Sequence, residues 1–123
     1  MQVLLVAIGG ACGAVSRFLV GNVVSKALGS ALPYGTFLIN IVGCFCMGLL
    51  MTVIAERQML PAAWRMVLCV GFLGGFTTFS SFGYETFSLL NNGKLMEALG
   101  YACGSVVLGL LTATLGVYLA RML

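Results

Sequence analysis

The sequence predicts an all-α integral membrane protein with four transmembrane helices. Three observations predict it. The chain is 61% hydrophobic and only 7% charged. Its apolar residues fall into four stretches, each about as long as the ~20 residues that cross a bilayer core ~30 Å thick. Polar turn signals fall between those stretches. A soluble domain carries about a quarter charged residues, and 123 residues are too few to hide so much apolar surface in one aqueous core. Lipid is therefore the solvent, and residues 1–123 read as a single membrane domain.

The first span is expected over residues 2–24, with Arg17 as its only charge. The N-terminus lacks the charged region that precedes the apolar run of a secretory signal. Lys26, Gly29 and Pro33 mark a short loop, and a second span without a charge follows over residues 34–55. Glu56, Arg57, Gln58 and Pro61 form a polar loop. The third span covers residues 64–90, with Trp64 at headgroup level and Glu85 inside it. Asn91-Asn92-Gly93-Lys94 is a turn signal. The fourth span covers residues 95–120, with Arg121 at its end.

The third span stands apart. About 27 residues would make a helix of ~40 Å, longer than a bilayer needs. Its middle reads Gly71-Phe72-Leu73-Gly74-Gly75-Phe76-Thr77-Thr78-Phe79-Ser80-Ser81-Phe82-Gly83, and glycines and β-branched threonines both weaken a helix. A break is expected near Gly74–Thr78. Broken membrane helices free backbone groups that need protein, water or an ion as partner, and such breaks point to binding sites. A glycine-rich packing kink is the other reading. Gly9, Gly10 and Gly13, and the small-xxx-small pair Gly100 and Gly104, imply close helix approach, within the chain or between chains.

Composition excludes several classes. A net charge of +3 without a basic run points away from nucleic acid and from a polybasic lipid-binding tail. There is no histidine, and none of the five cysteines forms a C-x-x-C pair. They read as buried small hydrophobes rather than as disulfides or a zinc site. With only Glu56, Glu85 and Glu97 as acids, an acid–base enzyme lacks its groups. A proton-coupled multidrug transporter of similar length needs an acid in the first span, where this chain offers Arg17. A structural subunit would fit the glycines but leaves the polar stripes without a purpose. Arg57, Arg65 and Arg121 on one side face Lys26 and Lys94 on the other. So slight a bias gives the positive-inside rule little to act on. Insertion in both orientations, and a two-fold antiparallel dimer, would follow. Local charge placement fixing one orientation is the alternative.

Polar side chains at membrane depth usually face a cavity or a partner. Asn40 and Thr36 share a face of the second span, as a polar stripe along a narrow path or as a helix–helix hydrogen bond. Tyr101, Ser105 and Thr112 lie within ~40° of one another on the fourth span. They form a track of hydroxyl donors, or back-bond to their own helix, or place Tyr101 at the interface. Arg17 either snorkels or supplies positive potential near an anion path. Phe79 and Phe82 either turn positive ring edges toward such a path or face lipid and core. Glu85 lies one turn after Ser81, within reach of it, or extends to water.

The runs Gly71–Phe82 with Glu85, Gly35-Thr36-Phe37-Leu38-Ile39-Asn40 and Gly9–Arg17 resemble the signatures of the CrcB/Fluc fluoride channel family across essentially the whole chain. The resemblance implies a bacterial inner-membrane, multi-pass, dual-topology homodimer that exports fluoride passively and protects against its toxicity. It implies two antiparallel pores and a sodium ion at the dimer centre, held by the carbonyls of Gly74 and Thr77. It places Phe79, Phe82 and Asn40 at the pore, and Thr36, Ser81 and Glu85 beside the path. It makes Arg17 the family's first-span arginine, and it matches Tyr101 and Ser105 to the hydroxyl track of the fourth span, with Thr112 and Thr114 near its lower end. Two departures stand out. Gly109 replaces a hydroxyl that some relatives carry, and Gly83 replaces a more usual serine or alanine.

Overall fold

The computed structural model describes all 123 residues, and all of its regular elements are helices. They are α1 (Gln2–Leu28), α2 (Tyr34–Met51) with a wider π-helical continuation over Thr52–Glu56, and a second π-helical stretch, Arg65–Leu73, that leads into α3 (Gly74–Phe76). Then come α4 (Phe79–Asn91) and α5 (Leu95–Met122). Four helical units are long and apolar enough to cross a membrane: Gln2–Leu28, Tyr34–Glu56, Arg65–Asn91 and Leu95–Met122. Only 20 of 123 residues are buried, while Phe18 and Leu110 are 67% and 69% exposed. Acyl chains suit such a surface, and water does not.

The first helix runs four residues past the end expected at residue 24. Ser25 and Lys26 interrupt the hydropathy but not the backbone, so Lys26 sits in the last helical turn rather than in a loop. There its charge complements the helix dipole. Gly29 ends the helix at φ 83°, with its amide donating to the Ser25 carbonyl. A residue without Cβ adopts that conformation at least cost.

Glycines set the helix spacing, though not all of those singled out from sequence. A methyl group at Gly9 would run into the Val67 carbonyl and the Phe72 amide, and one at Gly13 into the Phe72 carbonyl. These two residues press α1 against Arg65–Leu73 and α3. Gly48 and Gly116 do the same for α2 and α5, meeting the backbone of Ala113 and Phe45. The expected pair in the fourth span does not. Gly100 has nothing within reach of an added Cβ, and Gly104 meets only the Phe37 ring at 3.9 Å. At neither position does a neighbouring backbone lie within 4 Å of an added Cβ.

Two small apolar clusters flank the centre. Ile39, Leu73 and Phe76 form one, and Leu89, Ala98 and Tyr101, with Phe37 and Phe82 against them, form the other. Between α3 and α4 the chain passes through two extended residues, Thr77 (φ −82°, ψ 159°) and Thr78 (φ −151°, ψ 121°). At the opposite end of the molecule Arg121 donates twice to Glu56, at 2.9 and 3.0 Å, tying α5 to the end of the second span.

Candidate functional site

The two extended threonines carry the site. An extended residue inside a helical bundle has no ladder for its amide and carbonyl, and burying either without a partner is costly. Thr78 has both satisfied by one side chain. Its N–H donates to Asn40 Oδ1 at 2.9 Å, and Asn40 Nδ2 donates to its carbonyl at 3.0 Å. Only a carboxamide offers one donor and one acceptor side by side. The Thr78 hydroxyl caps α4 by accepting from the Ser81 amide at 3.2 Å and donates to Ser81 Oγ at 3.1 Å. The residue before it is anchored differently. The Thr77 amide and hydroxyl both donate to the Leu73 carbonyl, and its own carbonyl accepts from Arg17 Nη1 at 3.3 Å. Because the Thr78 amide goes to Asn40, the Gly74 carbonyl loses the bond that a continuing helix would return to it.

A second polar knot joins three helices. Thr36 on α2 donates to Glu85 Oε1 at 2.7 Å, and Tyr101 on α5 donates to Oε2 at 2.8 Å. The Glu85 carboxyl on α4 therefore has a hydroxyl on each oxygen. It pairs with Thr36 and Tyr101, not with Ser81 one turn before it. Tyr101 is buried, 8% exposed, with its hydroxyl turned to Glu85.

Three cavities flank these knots. A polar vestibule of about 280 Å³ is lined by Arg17, Asn22, Thr36, Ser81 and Glu85, among others, and it ends on Thr78. It shares Ser25, Pro33 and Glu85 with an outer cavity of about 380 Å³ that reaches Asn92 and Lys94. On the other side of Thr78, a groove of about 290 Å³ is lined by Asn40, Thr77, Phe79, Phe82 and Ser105. Ser105 Oγ is buried there with no hydrogen-bond partner. It does not back-bond to α5.

The aromatic pair divides. Phe79 and Phe82 lie with ring centroids 5.7 Å apart, and Phe82 packs on Tyr101 at 5.3 Å. Phe79 is 83% exposed within the single chain. Thr112 stands apart from this groove. It donates to the Ile41 carbonyl across the α2–α5 contact and to the Gly109 carbonyl one turn back. Those bonds make it a clamp between helices rather than a member of the track that holds Ser105.

The sequence candidates include Asn40, Thr77 and Ser81 but not Thr78, to which the bonds of Asn40 and Ser81 return. A signal was present. Thr78-x-x-Ser81 after a glycine pair is a helix-start pattern in which the hydroxyl caps the new helix. Cys44 and Met47, which also line the groove, were hidden because both read as ordinary core residues.

The fold and the site define a four-span helical membrane protein with polar cavities on either side of a two-residue extended segment. The model of the CrcB-like protein, camphor resistance (CrcB) family matches residues 4–117, and the chain belongs to this family. It is 50% identical over 120 residues to a fluoride-specific ion channel FluC of Chloroflexus aurantiacus, covering 98% of this chain and 95% of the relative. Proteins of the same name from Solibacter usitatus and Magnetococcus marinus are 43% and 44% identical. The first match covers 98% of this chain and 99% of the relative, and the second covers both in full.

Proposed function

We propose that this protein is a passive, fluoride-selective channel of the bacterial inner membrane, exporting fluoride and so protecting the cell from it. One observation carries the reading. A polar vestibule and a groove that holds Asn40 and Ser105 both reach Thr78, inside a bundle of four apolar spans. The naming of relatives at 42–50% identity as fluoride-specific channels supports the choice of ion.

Bare fluoride in a low-dielectric medium costs on the order of tens of kcal/mol, so water has to be replaced stepwise. Lys94 and Arg17 supply positive potential along the outer cavity and vestibule. Ser81, whose hydroxyl accepts from Thr78 and keeps its own proton, offers a donor at the inner end. Asn40 and the unpartnered Ser105 hydroxyl continue the file in the groove, with the edges of Phe79 and Phe82 beside them. A carboxylate would repel an anion, but Glu85 is held by the hydroxyls of Thr36 and Tyr101. Both of its oxygens are thereby engaged by hydroxyl donors where it lines the vestibule and the outer cavity. Small, short-range donors favour fluoride over the larger, more weakly solvated chloride.

The finer architecture is part of the same proposal. The third span, Arg65–Asn91, is read as one membrane crossing interrupted at Thr77–Thr78. Two copies in opposite orientations make the channel, in keeping with the near-balanced charges at the two ends. The Gly74 and Thr77 carbonyls suit a sodium ion at the centre of the pair. Both are neutral hard oxygen donors of the kind that alkali and alkaline-earth ions take, and the Gly74 carbonyl is released from helical bonding. Such an ion would fix the two copies together and add positive potential. Arg17 contributes to that potential through its hold on the Thr77 carbonyl.

The test is purified protein in liposomes, loaded with fluoride and then with chloride, with efflux read by ion-selective electrodes. Fluoride efflux without chloride efflux is expected, at a rate unaffected by a pH gradient. Equal rates for the two ions, or none for either, would remove the assignment. Preparation without sodium should weaken dimer assembly in detergent, and indifference to sodium would remove the central ion.

A further inference from the structure

We propose that Cys44 and Met47 form a two-sulfur site for a soft, thiophilic metal ion of the mercury(II), silver(I) or copper(I) class, placed inside the groove so that its occupation blocks passage. The blocking consequence rests on the channel reading above; the binding itself does not. Asn40, Cys44 and Met47 follow one another at i, i+4 and i+7 on α2, and all three line the groove. Residues three apart on a helix surface have Cβ atoms ~5–6 Å apart, which lets a thiol and a thioether reach one ion from adjacent turns. Soft sulfur ligands select soft d10 ions, and the groove lining contains no carboxylate or imidazole to hold a harder one.

Cys44 is also the right thiol. All five cysteines are free, but Cys12 and Cys103 are on the exposed surface and Cys69 is buried. Cys46 packs against the Ile39, Leu73 and Phe76 cluster. Among them only Cys44 lines the groove. Across from it α5 carries Gly109, where an added Cβ would lie 3.3 Å from Cys44 Sγ. The missing side chain leaves the sulfur room to change partners. Met47 leans on the same apolar cluster from the groove side, which limits how far its sulfur wanders.

Mercury(II) chloride is neutral and small, so it enters apolar surroundings without the barrier that a bare cation meets. The Cys44 S–H proton leaves with one chloride as the S–Hg bond replaces an Hg–Cl bond. The Met47 sulfur then donates a lone pair and displaces the second chloride as an anion. No oxidation state changes. The bound ion lies in the groove that Asn40 and Ser105 also line and obstructs it.

The experiment adds mercury(II) chloride to liposomes holding the wild-type protein and reads fluoride efflux against the metal-free rate of the same preparation. Efflux should be lost and then recovered when a dithiol chelator is added. Cys44→Ala should be insensitive, Cys12→Ala and Cys103→Ala should remain sensitive, and Met47→Leu should need more metal. Mass spectrometry of the treated wild-type protein should place mercury on the peptide that contains Cys44. Inhibition of Cys44→Ala equal to that of wild type, or mercury on other cysteines with none on Cys44, overturns the site. If the wild-type protein carries no fluoride before metal is added, the channel reading fails, and the mapping of mercury still decides the site.

Discussion

Asn40 and Thr78 face each other across the α2–α4 boundary through a reciprocal pair of hydrogen bonds, 2.9 and 3.0 Å long, in which one side-chain amide takes the place of a strand partner. That pairing lets two extended residues exist within a bundle of helices. It also fixes the direction of the Thr78 hydroxyl, which starts α4 and lines the cavities on both sides. The same residue pair therefore maintains the backbone and shapes the passage.

Asn40→Ala should remove both functions at once. Two buried backbone groups of Thr78 lose their partners, at about 1–3 kcal/mol each, and the groove loses its amide donor. Fluoride efflux should fall to background and the melting midpoint in detergent should drop. Asn40→Asp keeps an acceptor for the Thr78 amide but sets a second oxygen against the Thr78 carbonyl, so it should fail as completely. A functional aspartate variant would show that the Nδ2 donor is dispensable.

The four spans were readable because apolar length is read directly from composition, and lipid leaves a chain few alternatives. Helix ends were less readable. Lys26 is polar yet completes a helical turn, so hydropathy stops before the backbone does. The Gly74–Thr78 stretch, weak in helix formers, contains the two extended residues, but nothing in the sequence tells which neighbour satisfies them. Asn40 was legible as a polar group at depth; its double bond to Thr78 required a register between α2 and α4 that only three-dimensional packing sets. Glu85 shows the same limit. Its helical neighbour Ser81 was the local candidate, and the partners that win are Thr36 and Tyr101, 49 and 16 residues away. Helix packing shows a related limit: a small-xxx-small pattern says where a close approach is permitted, and within one chain the backbones meet at Gly48 and Gly116 rather than at Gly100 and Gly104.

That contrast between glycines makes a stability prediction. Gly13→Ala and Gly48→Ala place a methyl against a neighbouring backbone and force the helices apart, as overpacking does at about 1–3 kcal/mol. Gly100→Ala meets nothing and gains helix propensity of up to about 1 kcal/mol. Thermal unfolding followed by size-exclusion chromatography should lower the midpoint for the first two and leave or raise it for the third. A Gly100→Ala loss as large as that of Gly48→Ala would mean that this face of α5 is covered in the assembled protein.

The Glu85 knot should behave as a unit. Thr36→Val and Tyr101→Phe each strip one carboxyl oxygen of its hydroxyl donor, at about 1–3 kcal/mol. Groups in one network are expected to couple by about 0.5–3 kcal/mol. The double variant should therefore differ from the sum of the singles in both melting midpoint and fluoride rate. Simple additivity in both would mean that the two hydroxyls act on Glu85 independently. Glu85→Gln retains the shape but sets an NH2 group against one of the two hydroxyls while its carbonyl oxygen still accepts from the other, and should slow efflux without dispersing the fold.

The two phenylalanines allow conduction to be separated from packing. Phe82 touches Tyr101 at 5.3 Å between ring centroids and belongs to the apolar cluster around it, so Phe82→Ile breaks a contact within the chain. Aromatic pairs of this kind are worth about 0.5–1.5 kcal/mol beyond their buried area. Phe79 projects from the chain at 83% exposure, and Phe79→Ile removes little internal packing beyond its contact with Phe82. If both ring edges border the ion path, both variants should lose fluoride efflux, while Phe82→Ile alone loses appreciable thermal stability. A Phe79→Ile protein that conducts like wild type would make that ring an ordinary lipid-facing group. The passage would then have to be drawn through Ser105 and Asn40 alone.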